Sequence, residues 1–401
     1  MFRRVGALGV TGAAIAAVVA MTLSGTASAR TTASASTSCN SPLTIGVAYP
    51  ATGDAAGIGA LQWDWANAAA NAWNSSHSLK ISLLPGDTHL GPGEQAQQVA
   101  QSFANNSSIV AVTGPAGSQE MQDTAAIWKA ASLAPISGSE TRVELTRSQG
   151  ASKRQTTKGY FYRTVPNDGQ QGGDDARYIY RKLHIKNVEV IDDQENYSIG
   201  LAGQVTSALK KFHVHVTRNS ISQTDTNFSS VIDAIPSSTK LIYIPWQLAN
   251  QAQQFYVQLH NKGKDIPLFG SDGTDDSSQF HGPGSYVSGF PFDPNNATVN
   301  AFANAHGGDT ESFGIPTYTS VIANAQAIQA ACHANHNSIG RNEVRLAIKH
   351  VHLTKAQSLL GFPVSFLAKN VGAFQGVGDM GGSAGFGIYQ IQDDGSYKRV
   401  G

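Results

Sequence analysis

The chain has 401 residues, and its 28 Lys plus Arg balance its 28 Asp plus Glu, giving a formal net charge of zero. A neutral chain with 14% charged residues carries no basic field for nucleic acid or for an anionic membrane surface. Its length exceeds one ordinary core and suits two lobes.

The N-terminus reads as an export signal. Arg3 and Arg4 precede an Ala/Val/Leu-rich run over 5–23, and Ala27-Ser28-Ala29 ends it as a small-x-small site, so cleavage is expected after Ala29 and the protein is expected to be exported. An uncleaved anchor is the rival reading, and a twin-arginine signal fits the surrounding residues poorly. Residues 30–42 read as a Ser/Thr/Ala linker with nothing to bury. Cys39 and Cys332 are the only cysteines. In an oxidising compartment they read as one disulfide between the start of the first strand and the end of a late helix. A lipid-modified Cys39 is the alternative, although Ser36-Thr37-Ser38 is not the sequence that such processing prefers.

From Leu43 strand and helix patterns alternate. Strands are predicted over 43–49, 80–84, 109–112 and 133–136, with helices over 59–73, 93–105 and from Ser118. A second series from Phe161 predicts helices over 174–183, 199–211, 228–235 and 250–262, with strands over 188–191, 214–218, 240–244 and 267–269. This alternation makes βαβ units and an α/β fold with parallel sheets. Ligands of such sheets bind outside the carboxyl ends of the strands.

The stretch 110–141 holds the first candidate site. An apolar strand breaks at Gly114, Pro115 and Gly117, and Ser118 opens a helix whose Met121, Ala125 and Trp128 share one face. A helix start accepts a carboxylate, and Ser118 adds a donor. The next strand end delivers Ser139 and Thr141 to the same crevice. The competing reading makes Ser118 only a helix cap. In the second series the strand ends carry Asp192 to Tyr197, Pro245-Trp246-Gln247 and Gly270-Ser271-Asp272-Gly273. Hydroxyls on one side and aromatics with a carboxylate on the other suit a small zwitterion between hinged lobes.

At this point the sequence from about Leu43 onward resembles the leucine/isoleucine/valine-binding protein family of ABC importer receptors, with the type I periplasmic-binding fold. The landmarks are Ile45-Gly46-Val47 with Thr52-Gly53, Thr113-Gly114-Pro115 with Ser118, Ser139-Glu140-Thr141, Tyr162-Arg163-Thr164-Val165-Pro166-Asn167-Asp168, Ile191-Asp192-Asp193 with Tyr197, and Phe269-Gly270-Ser271-Asp272-Gly273. The resemblance implies two doubly wound parallel-sheet lobes joined by a three-strand hinge. Residues 43–163 plus 292–361 would form the N-terminal lobe, and 164–291 plus 362–401 the C-terminal lobe. It implies that Ser118, Ser139 through its backbone, and Thr141 hold an α-carboxylate, that Asp272 meets the ammonium group, and that Tyr197 closes the site. Phe313 matches an aromatic of the side-chain pocket, with simple core as its rival; Asp272 could instead serve a turn with Gly273. Ile58 and Gln247, beside Trp246, stand where several members have Tyr, so the side-chain pocket is rebuilt and branched-chain ligands do not follow.

The remaining motifs carry no chemistry. The Gly376–Gly381 segment matches GxGxxG by letter but lacks the helix and acid that must follow. The His pairs 213/215, 333/336 and 350/352 lack further ligands, so neither a metal nor a cofactor is expected. Asp192 and Asp193 read as helix caps bordering the cleft rather than a catalytic pair, and no hydrolase motif is present. The reading is therefore a monomeric, non-enzymatic binding protein. It closes on an amino acid or related zwitterion and hands it to ABC permease and ATPase subunits; a ligand-sensing receptor on the same fold is the alternative.

Overall fold

The structure is a computed structural model that describes residues 37–40, 42–90, 93–148, 157–305, 312–382 and 385–401. The export signal over 1–29 and its cleavage site lie outside the described residues. Two sheets carry the architecture. The first runs in the order Ile81–Asp87, Leu43–Tyr49, Ile109–Thr113, Ile136–Ser137, Tyr162–Arg163, with every neighbouring pair parallel. The central strands Leu43–Tyr49 and Ile109–Thr113 are almost wholly buried, as strands covered on both faces must be. The helices Ala56–Ser76 and Gly314–Ala334 pack against each other and this sheet. The second of them is apolar nearly all round, which suits a helix buried on most sides. At its start, a Cβ on Gly314 would lie 2.0 Å from the Trp65 ring, so only glycine fits there.

The second sheet has seven strands in the order Tyr397–Arg399, Gly387–Ile391, Tyr286–Gly289, Leu268–Gly270, Leu241–Ile244, Asn187–Asp192, His215–Ser220. Five are parallel; the two at one edge form an antiparallel hairpin built from the chain's C-terminus. The α/β class with parallel-sheet lobes is thus as expected, and the edge hairpin is an addition that the βαβ pattern did not signal. Cys39 and Cys332 form a disulfide with their Cα atoms 6.1 Å apart, beside a two-stranded pairing of Thr37–Ser38 with Ser338–Ile339.

The chain passes from the first lobe to the second after Arg163 and returns after Gly289. The last passage differs from the expected boundary near Gly361. Val364, Phe366 and Met380 pack in the core of the first lobe, and strands His352–Leu353, Val364–Phe366 and Met380–Gly381 pair antiparallel there. That small sheet holds the chain on the first lobe until residues 381–387.

One buried ion pair organises the passages. Arg163 Nε lies 2.6 Å from Asp379 Oδ1, with the side chains 0% and 3% exposed. Arg163 also donates to the carbonyls of Glu140 at 2.9 Å and Arg142 at 3.0 Å and to Thr146 Oγ1 at 2.6 Å. Asp379 Oδ2 accepts from Gly376 N at 2.8 Å and Asn167 Nδ2 at 3.0 Å. Every group of the pair is satisfied, which is the condition under which a buried pair is tolerated. Removing one partner by Asp379→Ala leaves an unpaired buried guanidinium. We expect a loss of about 3–5 kcal/mol in unfolding free energy, measured by denaturant titration; a loss below 1 kcal/mol would show that the pair is dispensable.

Candidate functional site

The carboxyl ends of both sheets face one cleft. In the first lobe, Gly114 has φ +97°, and a Cβ there would meet the Ala48 carbonyl oxygen at 2.1 Å. This glycine lets strand Ile109–Thr113 turn beside strand Leu43–Tyr49 into the helix Ser118–Ala130. The N-cap is Gly117, and Ser118 is the first helical residue. Its hydroxyl is buried, 2% exposed, caps nothing and has no hydrogen-bond partner. The cap-only reading of Ser118 therefore finds no support. The helix start is, however, partly occupied: Glu120 Oε2 accepts from Ala116 N at 3.1 Å and Gly117 N at 2.8 Å. Burial pushes Glu120 up to about 7, against these bonds.

Ser139 lines the cleft beside Ser118. Its hydroxyl donates to Ala116 O at 2.9 Å and accepts from Gln62 Nε2 at 3.1 Å, and its amide donates to Ser137 Oγ at 3.2 Å. Thr141 is fully buried, and its hydroxyl, like that of Ser118, has no hydrogen-bond partner; it favours the charged form of the neighbouring Asp168. Asp168 opens the helix Asp168–Arg181 of the second lobe and is also completely buried.

The second lobe contributes Tyr197, from the first turn of the helix Asn196–Lys211, and Asp272, just after strand Leu268–Gly270. The Tyr197 hydroxyl lies 2.6 Å from Asp272 Oδ1 and 2.7 Å from Ser271 Oγ. Asp272 is pushed up to about 7 by burial, with the Asp168 charge adding to the rise and the Tyr197 bond opposing it. Asp168 is likewise raised to about 7 by burial, against Thr141, Arg163 and Arg142. The tyrosine is itself raised well above its ordinary value by burial and by Asp272, so it stays a donor.

Ser118, Ser139, Tyr197, Asp272 and Phe313 line one hollow together with Ile58, Leu90, Ala116, Gln247 and Gly273. Of the seven residues nominated from sequence, the structure brings these five together and leaves Thr141 and Trp246 outside. Trp246 is fully buried: its indole donates to Ile191 O at 2.7 Å, and its ring packs on Phe228 and Phe255. Its neighbour Gln247 reaches the cleft instead, as successive residues of an extended segment point to opposite sides. Ile58 and Gln247 were legible only as departures from a pattern; Leu90 and Gly273 carried no individual signal of cleft position.

Hydrogen bonds join the lobes around this hollow. Gln119 Nε2 donates to Gln247 Oε1 at 3.2 Å, Asn196 Nδ2 donates to Gln122 Oε1 at 3.0 Å, and Arg142 Nη1 donates to Asn196 O. Asp192 is paired with Arg218, and Asp193 accepts from Glu195 N at 3.1 Å, so these two acids serve structure. In this arrangement the hollow has room of about 20 Å³, enough for a water. Among the described residues, no cluster of His, Cys, Asp or Glu could hold a metal ion, and no helix is long and apolar enough to cross a membrane.

The sequence matches the family model described as periplasmic binding protein over residues 42–378. It is 27% identical over 341 residues to a Pseudomonas aeruginosa protein named amino acid binding protein, covering 81% of this chain and 86% of that one. It is 24% identical over 317 residues to the leucine-, isoleucine-, valine-, threonine- and alanine-binding protein of the same organism, covering 74% and 80%. In structure it is similar to a leucine-binding protein of Thermotoga maritima, with a TM-score of 0.76 at 18% identity over 90% of this chain and 98% of that one. An ABC transporter solute-binding protein from R. palustris in complex with benzoate gives a TM-score of 0.74 at 15% identity over 90% and 96%. These likenesses in structure show a shared fold, and the family is one of exported solute-binding proteins rather than enzymes. With most of its length matched and its two parallel-sheet lobes meeting over a cleft, the chain belongs to the periplasmic binding protein family.

Proposed function

We propose that this protein is the extracytoplasmic receptor of an ABC importer and closes on an amino acid or related small zwitterion. The observation that carries the reading is the opposition of Asp272 and Tyr197 in one lobe to the unpartnered Ser118 hydroxyl in the other, across one buried hollow. A carboxylate placed at Ser118 and the start of its helix would find a donor and a favourable dipole. Thr141, whose hydroxyl is also buried without a partner, would add a second donor to this corner. An ammonium group on the same carbon would meet Asp272, which Tyr197 holds in place. The relatives named for amino acids support the ligand class, and the benzoate complex shows that the fold admits a carboxylate without an amine.

Binding begins on the opened lobes. Closure then forms the Gln119–Gln247 and Asn196–Gln122 bonds and removes water, which strengthens the charged contacts. A closed, exported receptor of this kind presents its solute to a permease and relies on a separate ATPase for the driving step.

A thermal-shift screen over amino acids, amides, sugars and short carboxylic acids tests the reading. An amino acid at a hundredfold its Kd should add about 2.7 kcal/mol of stability; a response confined to uncharged or purely anionic solutes would refute the zwitterion clamp. Asp272→Ala should weaken amino-acid binding by about 2–5 kcal/mol. Ser118→Ala should cost less, about 1 kcal/mol, because the Ser118 and Gln119 amides remain; loss of folding rather than of affinity would mean a purely structural Ser118. The clamp is also proton-linked. Burial pushes Asp272 up to about 7 in the closed arrangement, and an ammonium requires its ionised form, so closure on the ligand below that pH must expel a proton. The Kd should rise on acidification, approaching about tenfold per pH unit below 7, and stay flat above it. Calorimetry across pH 5–8 reads this, and Asp272→Asn should flatten the profile.

A further inference from the structure

The clamp engages the α-carboxylate and the α-ammonium of a ligand, so its third substituent must lie along the rest of the same hollow. That remainder is apolar at Ile58, Leu90, Ala116 and Phe313 and polar at Gln247. Among the described residues of the lining, Asp272 is the one acidic or basic side chain, and the clamp already uses it. The side-chain end of the hollow therefore selects without charge.

Gln247 meets a second glutamine there. Gln119 follows Ser118 in the helix Ser118–Ala130 and is 4% exposed; its Nε2 donates to Gln247 Oε1 at 3.2 Å and to Leu90 O at 3.4 Å. Both acceptors belong to residues of the lining, so the Gln119 carboxamide lies against the hollow where the lobes meet. Its Oε1 is buried and has no hydrogen-bond partner. Gln247 Oε1 accepts from Gln119 and, at 3.5 Å, from Gln223 Nε2, while its own Nε2 donates to nothing among the described residues. The pair thus joins the lobes through one bond and leaves an acceptor on the first lobe and a donor on the second. Turned over together, the two carboxamides would still leave one of each, because a carboxamide carries both kinds of group. An aliphatic side chain closed in beside this pair would leave both groups unpaired, which is costly. A carboxylate would satisfy only the donor, and an ammonium only the acceptor. A carboxamide satisfies both, giving an N–H to Gln119 Oε1 and accepting one from Gln247 Nε2.

Resting on the amino-acid reading above, we propose that the ligand is an α-amino acid whose side chain ends in a carboxamide, read by Gln119 on one lobe and Gln247 on the other. Its short methylene stem lies on Ile58, Leu90 and Phe313. The two residues that bond across the lobes are then also the two that select the side chain, so the amide is recognised as the cleft shuts.

Calorimetric titration of the mature protein with L-glutamine and L-asparagine, their apolar counterparts of similar shape L-methionine and L-leucine, and L-glutamate and L-threonine decides the matter. Glutamine or asparagine should bind at least about tenfold more tightly than its apolar counterpart, because a site built around hydrogen bonds rejects the analogue that lacks them. Methionine, leucine, glutamate or threonine binding as tightly as the better amide would overturn the proposal and leave the amino-acid reading standing. Gln119→Met and Gln247→Met keep the length of the side chain and remove its amide. Each should lower the ratio of amide to apolar affinity by about tenfold, toward unity. A pair that only joins the lobes would weaken every ligand alike when cut; an unchanged ratio would therefore also overturn the proposal. If both variants fail to fold, the ratio on the native protein decides alone. Binding of none of these amino acids would refute the reading and the proposal together.

Discussion

The Arg163–Asp379 pair is the constraint on which the cleft depends. Arg163 ends the last strand of the first sheet, and its guanidinium holds the carbonyls of Glu140 and Arg142. That loop carries Ser139 and Thr141. Asp379 grips Asn167, the N-cap of the helix that Asp168 opens in the second lobe. One fully buried charge pair therefore fixes the clamp loop, a passage between lobes and the first turn of the facing helix relative to one another. Arginine suits the position because its planar fork satisfies several acceptors at fixed angles, which a lysine ammonium does not.

Around this anchor the cleft concentrates acidity that it does not neutralise. Glu120, Asp168 and Asp272 are each raised to about 7 by burial, and Glu140 is held well above its ordinary range by burial and by Glu120. Near neutrality such groups share protons rather than stand fully charged. In the proposed clamp an ammonium would compete with a proton for Asp272, whose charged form burial disfavours. The hydrogen bonds that join the lobes are polar contacts, two of the three amide to amide, and have modest net worth in water. Such latches let the lobes part, and a ligand that bridges them shifts the balance toward closure.

Much of this arrangement was legible in the chain. The two series of alternating strands and helices predicted the parallel sheets, and the breaks after strands at Gly114, Asp192 and Gly270 marked the edges of a cleft. Ser118 and Asp272 stood out because each follows a strand end at a glycine-rich turn. Trp246 was nominated for its size and position, yet an indole at the end of a buried strand does better against Phe228 and Phe255, and Gln247 takes the cleft.

Local patterns, then, determined the class of fold, the strand ends and the chemical types available at the cleft, because apolar period and turn chemistry are written in neighbouring residues. Tertiary structure alone decided which of those ends face each other. It placed Glu120 on the helix start that a solute would also seek, and held the chain on the first lobe through Met380. These outcomes depend on closing long loops and on burying charge at a distance from any sequence neighbour, and a pattern of nearest neighbours carries no record of either.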